Sequence, residues 1–361
     1  MLYPVRFTPA ILRALQTIEQ ARTTVGLTRL PPLVAERLRQ QARLRSTHFS
    51  TRIEGNRLTL AETEQVILQG ARFPGRERDV HEVERYYLAL NQIEAWTDEG
   101  VPITEERVRK LHALLYRGRR ARPTPYRDGQ NVVRDSATGR IVYLPPEATD
   151  VPALMRALIT WIQQAEAEWP VPIVAGVAHY QFVTIHPFYD GNGRTARALA
   201  TWILYRGQYD LNGFYALEEH YARDLEGYYN ALVTHPHPNY YEGRHQADIT
   251  PWLEYFLEGM ALVFRQVAEE VRRLARQPEE PEPAWLQTLD RRARRVVAWL
   301  EAHGTVRSAE VAALLGIGQR QARNLLRQWV EAGWLEIADP SRRGRRYRLK
   351  HRHPPSHTPQ T

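Results

Sequence analysis

The chain has 361 residues, room for two or three domains. Its 43% hydrophobic and 25% charged content is that of a water-soluble globular protein. No run reaches the length of a membrane span, and the absence of cysteine removes disulfides and thiol chemistry. The net charge of +8 is uneven: Thr288–Thr361 holds 15 Lys+Arg against 6 Asp+Glu, a net of +9, which leaves the remainder at −1. A basic module attached to a near-neutral body points to a polyanionic partner for that module. The start, Met1–Phe7, lacks the apolar run of a leader, so the chain is expected in the cytoplasm, with no membrane contact.

Thr8 followed by Pro9 predicts a helix start, with the helix running to about Thr23. Pro31 and Pro32 open a second helix through roughly Phe49, followed by Ser50-Thr51-Arg52-Ile53-Glu54-Gly55-Asn56. Ser50 and Glu54 stand one helical turn apart. Thr59 and Glu62 form a capping-box pattern, and that helix is expected to end near Gly70. Phe73-Pro74-Gly75 is a turn. Asp79–Trp96 reads as an amphipathic helix with Val83, Tyr87, Leu90 and Ile93 on its core face. Thr104 caps Glu105–Tyr116, where His112 is expected to be a packing histidine. Val132-Val133 and Ile141-Val142-Tyr143 flank Asp135–Gly139, a hairpin within 126–146. Val151–Glu168 is a further helix.

The densest chemistry lies in His186–Arg197, HPFYDGNGRTAR. Apolar residues recur at helical spacing before it (Ile173, Val174, Val177, Phe182, Ile185) and after it (Leu199, Trp202, Ile203), which predicts helix–loop–helix. A glycine-rich loop opening a helix presents bare N–H groups to an anion, and Gly191 and Gly193 allow close approach of a phosphate. Arg194 and Arg197 share a face and can fork onto phosphate oxygens. Asn192 can donate to a phosphate, and Asp190 is a hard ligand for one Mg²⁺ (or Mn²⁺) shared with it. His186, at the end of the first helix, can take a proton near neutrality.

HPFYDGNGRTAR resembles the Fic family signature, H-P-F-x-D-G-N-G-R-x-x-R, at every specified position. The resemblance implies transfer of AMP from ATP to a protein hydroxyl. The related Doc branch, which transfers phosphate, differs inside the loop, so Gly191 favours AMP. The resemblance covers about Arg43–Gly259. It makes Ser50, Glu54 and Gly55 similar to the family's inhibitory motif, [ST]-x-x-x-E-[GN], whose Glu pairs with the second motif arginine, here Arg197. It implies that the 126–146 hairpin is a flap that holds the target segment by strand addition. It also implies that Tyr228-Tyr229, in a helix over Arg223–Leu232, lie against the adenosine. His235, His237 and His245 are expected in a polar loop rather than at a metal, and Asp248–Gly259 resembles the family's closing helix.

Gln277–Pro283 reads as an acidic, proline-rich linker. Beyond it the pattern predicts a helix Leu289–His303, a second helix capped by Ser308, a Gly316-Ile317-Gly318 turn, a third helix Gln319–Glu331 and two strands within Trp334–Leu349. That order is a winged helix-turn-helix, with Gln319, Arg320, Gln321 and Arg323 opening the recognition helix. Its partner, DNA or protein, stays open, as does a homodimer. The expected fold is mainly α: a Fic helical core with a β-hairpin flap, plus the winged helix-turn-helix. The expected map is 1–70 inhibitory helical region, 71–276 catalytic core, 277–287 linker, 288–350 winged helix and 351–361 disordered tail. Besides an AMP transferase held off by Glu54, two readings remain: a DNA-binding regulator that only senses nucleotide, and an enzyme that removes AMP from protein.

Overall fold

A computed structural model describes residues 3–119, 121–134, 138–276, 284–341 and 344–350. The linker Gln277–Pro283, Asp135–Ala137 of the hairpin turn and the tail lie outside them. The fold is mainly helical, with two small antiparallel sheets among the described residues. None of the described helices is long and apolar enough to cross a membrane.

In order, α1 is Pro9–Leu27, α2 Pro32–Ile53 and α3 Leu60–Glu64, continued by a π turn at Gln65–Gln69. Next come α4 (Glu77–Asp98), α5 (Glu105–Arg117), β1 (Val133–Arg134), β2 (Ile141–Tyr143), α6 (Val151–Glu168), α7 (Val171–Ile185) and α8 (Asn192–Arg206). Short helices α9 (Leu217–Arg223) and α10 (Leu225–Ala231) lead to the long α11 (Thr250–Ala275). The C-terminal module holds α12 (Ala284–Gln287), α13 (Arg291–His303), α14 (Ser308–Leu315), α15 (Gln319–Glu331), β3 (Leu335–Asp339) and β4 (Arg346–Leu349).

Local chemistry explains most boundaries. The Thr8 hydroxyl accepts from the Ile11 N–H, so Pro9 can open α1. Thr59 and Glu62 form the reciprocal capping box, and Gly70 in the left-handed region closes the π turn. In β1–β2, Val133 faces Tyr143 and Arg134 faces Ile141. Several boundaries depart from expectation: α1 ends at Leu27 rather than Thr23, and α11 runs to Ala275 rather than Gly259. The α2 helix runs on past Phe49 because Ser50, Thr51 and Ile53 are buried against the body. A single helix over Arg223–Leu232 becomes two, because Asp224 leaves helical geometry and its carboxylate caps the Gly227 N–H. Ser308 does not cap α14: Glu310 reaches back to the Arg307 N–H at 2.7 Å and starts the helix at Ser308 itself.

The main core surrounds α7, whose two faces are both buried against α6, α8 and α11, while α1 lies along α11. A second core is shared between distant parts of the chain. Leu44, Leu58, Ile67, Val80 and Val83 pack with Val296, Trp299 and Leu326. Within residues 1–70, α1 packs in the main core, while Leu33 and Leu44 of α2 and Leu58, Val66, Ile67 and Leu68 after it pack in the second core. Amphipathic periodicity gives each helix a buried face but not its partner, so that division was not visible in sequence.

Ionic contacts cross the same boundary. Glu94 of α4 binds Arg43 of α2 at 2.5 Å, Arg291 of α13 at 2.6 Å and Arg295 at 3.5 Å. Burial alone pushes the Glu94 carboxyl up, but Arg43, Arg295 and Arg291 outweigh it and hold it at about 2. A lowered carboxylate contributes stability that is present above its unfolded value and is lost as pH falls toward the folded one. Glu94→Gln leaves three cations without their shared anion. It is expected to cost about 3 kcal/mol at neutral pH, read as a lower thermal midpoint, and the gap from wild type should narrow as pH falls from about 4.5 toward 2. An unchanged midpoint would show that the cluster does not join the module to the body.

Candidate active site

The α7–α8 pair delivers His186 and the loop that follows it. His186 caps α7 in the left-handed region (φ 52°), an unusual conformation for a residue with a side chain. Buried Arg127 holds that turn by its backbone. Its Nε donates to the His186 carbonyl at 2.9 Å, its Nη2 to the Ile185 carbonyl at 3.5 Å, and its own N–H to the Pro187 carbonyl at 2.9 Å. Sequence reasoning missed Arg127, because its partners are carbonyls far along the chain that leave no motif. The His186 Nδ1 lies 3.3 Å from the Val183 carbonyl, so a proton on Nδ1 leaves Nε2 as acceptor. Burial pushes the His186 imidazolium down to about 4, so the ring is neutral near pH 7.

The loop turns at Gly191 (φ 77°), which serves as the N-cap of α8. His112 braces it as a packing residue. Its ring stacks on Phe188 with centroids 3.8 Å apart, its Nε2 meets the Asp190 carbonyl at 2.8 Å and its Nδ1 the Thr124 hydroxyl at 2.9 Å. Burial pushes His112 down to about 4, so it is also neutral. Asn192, expected at a phosphate, instead clamps the loop to itself: Oδ1 accepts from the Phe188 N–H at 3.0 Å and Nδ2 donates to the Phe188 carbonyl at 2.7 Å. The first-turn N–H groups of α8 have no earlier carbonyl in the helix to bind, an arrangement that can cradle an anion.

Both arginines are buried. Arg194 lies 3.5 Å from Glu82 and 3.6 Å from Asp190, beyond a good hydrogen bond, and its buried Nε has no acceptor among the described residues. A buried guanidinium left this way fits an anionic ligand. Glu82 also binds Arg78 at 3.0 Å and the Asn56 amide at 3.2 Å, and nothing in its sequence context singled it out.

Arg197 is bound from the end of α2. Its Nε donates to Ser50 Oγ and its Nη2 to the Ser50 carbonyl, both at 2.9 Å, and Nη2 also donates to Glu54 Oε1 at 2.8 Å. Burial pulls the Arg197 guanidinium down, but Glu54 beside it outweighs burial and pushes it up. Glu54 is the C-cap of α2 and Gly55 turns the chain at φ 87°. A Cβ built on Gly193 would stand 2.5 Å from Glu54 Oε1. The carboxylate thus lies against the glycine backbone at the start of α8.

The rest of the rim is mixed. Tyr229 is 47% exposed, with its hydroxyl 3.5 Å from the Ile53 carbonyl. Tyr228 is 1% exposed, enclosed by Tyr221, His179 and Trp252, and its hydroxyl meets His179 Nε2 at 3.1 Å. Of the pair expected at adenosine, only Tyr229 offers an open ring, because Tyr228 faces the core. Asp190 has a side chain 52% exposed, and its Oδ1 accepts from the Gly191 N–H at 2.6 Å. One accessible carboxylate beside a phosphate cradle fits a Mg²⁺ that takes its other ligands from phosphate and water. No group of three or more metal-ligating side chains occurs among the described residues. In the His-rich insertion, His237 pairs with Glu242 at 3.0 Å. The insertion buttresses the hairpin: the Leu144 N–H donates to the Pro238 carbonyl and the Tyr240 N–H to the Leu144 carbonyl, both at 3.0 Å. Ile141 and Val142 of β2 stay exposed.

Residues 102–204 match the family model described as Fic/DOC family. The chain contains a Fic/DOC domain. Longer proteins are similar to part of the chain. It is 29% identical over 199 residues to the protein adenylyltransferases Fic of Drosophila yakuba and Drosophila melanogaster, over 55% of this chain and 39% of each relative. The chain therefore spans well under half the length of those relatives. Among solved structures, a Fic family protein from Desulfovibrio desulfuricans G20 superposes with a TM-score of 0.61 at 27% identity, covering 98% of this chain and all of that one. That likeness extends over the C-terminal module as well as the Fic/DOC domain. Fic-1 of C. elegans superposes at a TM-score of 0.59 and 20% identity over 73% of each chain, a likeness of fold.

Proposed function

We propose that this chain transfers AMP from ATP to a Tyr, Ser or Thr hydroxyl of a target protein or of itself, and that Glu54 holds it off. The observation that carries this reading is a neutral His186 at the head of the same loop whose N–H groups and arginines form an anion cradle. The target oxygen attacks the α-phosphorus and its proton passes to His186 Nε2. The bond from the α-phosphorus to the bridging oxygen breaks and pyrophosphate leaves. The cradle amides, Arg194 and Arg197 hold the phosphates, Gly191 and Gly193 admit them closely, and Tyr229 offers a face to the adenine. A Mg²⁺ (or Mn²⁺) on Asp190 would offset charge on the phosphates. The exposed edge at Ile141–Val142 suits a target segment added as a strand. We read 288–350 as a winged helix-turn-helix from its element order, with DNA or protein as partner.

A second reading is favoured by the position of Glu54: a carboxylate 26% exposed at the cradle can orient a water against AMP on a modified protein. The test is incorporation from ATP labelled at the α- or the γ-phosphate. AMP transfer predicts label in protein from the α position only. Label from the γ position would mean phosphate transfer, and loss of α-label from a pre-modified target would favour removal.

A further inference from the structure

One cavity among the described residues lies apart from the candidate catalytic site. A cleft of about 1080 Å³ opens between α4, the π turn and the C-terminal module, and none of its lining residues belongs to His186–Arg197. Six arginines line it (Arg72, Arg119, Arg307, Arg323, Arg327 and Arg345) against two glutamates, Glu84 and Glu310. Arg72 pairs with Glu84 at 2.7 Å and Arg307 with Glu310 at 2.9 Å, which uses both carboxylates. The other four have no carboxylate partner among the described residues; Arg323 meets only the Gln319 amide oxygen, at 3.5 Å.

Gln319, Arg323 and Arg327 recur every four residues along α15, so they form one face, and Arg345 precedes β4. Four cations, brought together from α15, the segment before β4 and the segment after α5, repel one another unless an anion joins them. Asn91 also lines the cleft: its Oδ1 accepts from Arg43, while its buried Nδ2 has no acceptor among the described residues. The lining also offers apolar surface from Leu88, Ile317, Val330 and Ile337.

We propose that this cleft is a second binding site, for a small nucleotide carrying two or more phosphates. Guanidinium forks suit several phosphate oxygens at once, and the apolar lining suits a base. The volume matches a ligand of that size. It is too small for a duplex, whose major groove must admit a whole helix, and here the Arg323–Arg327 face of α15 looks across the cleft at α4.

The test uses the full chain and inorganic tripolyphosphate, followed by calorimetric titration without divalent metal. Wild type should bind, and Arg323→Glu/Arg327→Glu should weaken binding at least tenfold while leaving the circular dichroism unchanged, since both side chains are exposed. Glu54→Gly, which frees the catalytic cradle, should add an event that the α15 changes leave intact, so the two sites are read apart. Equal binding by wild type and the double variant would overturn the proposal. So would a 16-base-pair duplex that binds more tightly than tripolyphosphate and is lost in the same variant.

Discussion

Glu54→Gly is expected to raise self-AMP-transfer about a hundredfold. In the structure Glu54 does two things: it takes Arg197 Nη2 at 2.8 Å, and it occupies the mouth of the cradle beside Gly193. ATP entering such a site must give up Arg197 for its γ-phosphate, and its α-phosphate is displaced from the line of attack. Misplacement of about 1 Å can cost roughly a hundredfold in rate. Removing the carboxylate frees both the arginine and the space. Glu54→Gln should activate less, because an amide oxygen of the same size still accepts from Arg197 and still stands in the cradle. Arg197→Ala should not activate, since it removes the lock and the phosphate partner together. Incorporation of labelled AMP at equal ATP and Mg²⁺ reads all three, and equal incorporation by wild type and Glu54→Gly would sink the inhibitory role.

In the Glu54→Gly background, His186→Ala is expected to lower AMP transfer by about two to four orders of magnitude, the range of a lost general base. ATP binding should stay near that of the parent, because the role proposed for His186 is on the attacking hydroxyl rather than on the phosphates. The same group sets a pH expectation. A base works in its neutral form, so its contribution is present above its pKa and lost as pH falls through it. Burial pushes His186 down to about 4 from an ordinary 6.5, so the rate in Glu54→Gly should show no His186 limb near 6.5. Glu54 is one of the charges that raise His186, so its removal lowers the value further and keeps the direction. A rate that halves near 6.5 would contradict the burial argument, and full activity of His186→Ala would remove the base from the mechanism.

The sequence was most legible where chemistry is local. The capping box at Thr59–Glu62, the core face of α4 and the helix–loop–helix around His186 each follow from spacing over a few residues. Ser50 and Glu54, known from sequence only by resemblance to an inhibitory motif, stand on Arg197 across 147 and 143 positions of chain. What sequence did not show is what depends on distant partners. Arg127 holds His186 through carbonyls, and Glu82 reaches Arg194 from another helix. Asn192 turns inward because Phe188 brings both its N–H and its carbonyl within reach. Tyr228 and Tyr229 look alike in sequence, yet their adjacent places on a short helix send one ring into the core and leave the other at the rim. The shared core between α2–α4 and the C-terminal module lay beyond periodicity for the same reason.

The most direct measurement is the intact mass of purified Glu54→Gly after incubation with ATP and Mg²⁺, followed by peptide mapping. An added AMP on a Tyr, Ser or Thr hydroxyl is expected, absent when His186→Ala is introduced as well. An unmodified mass under those conditions, or an added phosphate in place of AMP, would contradict it.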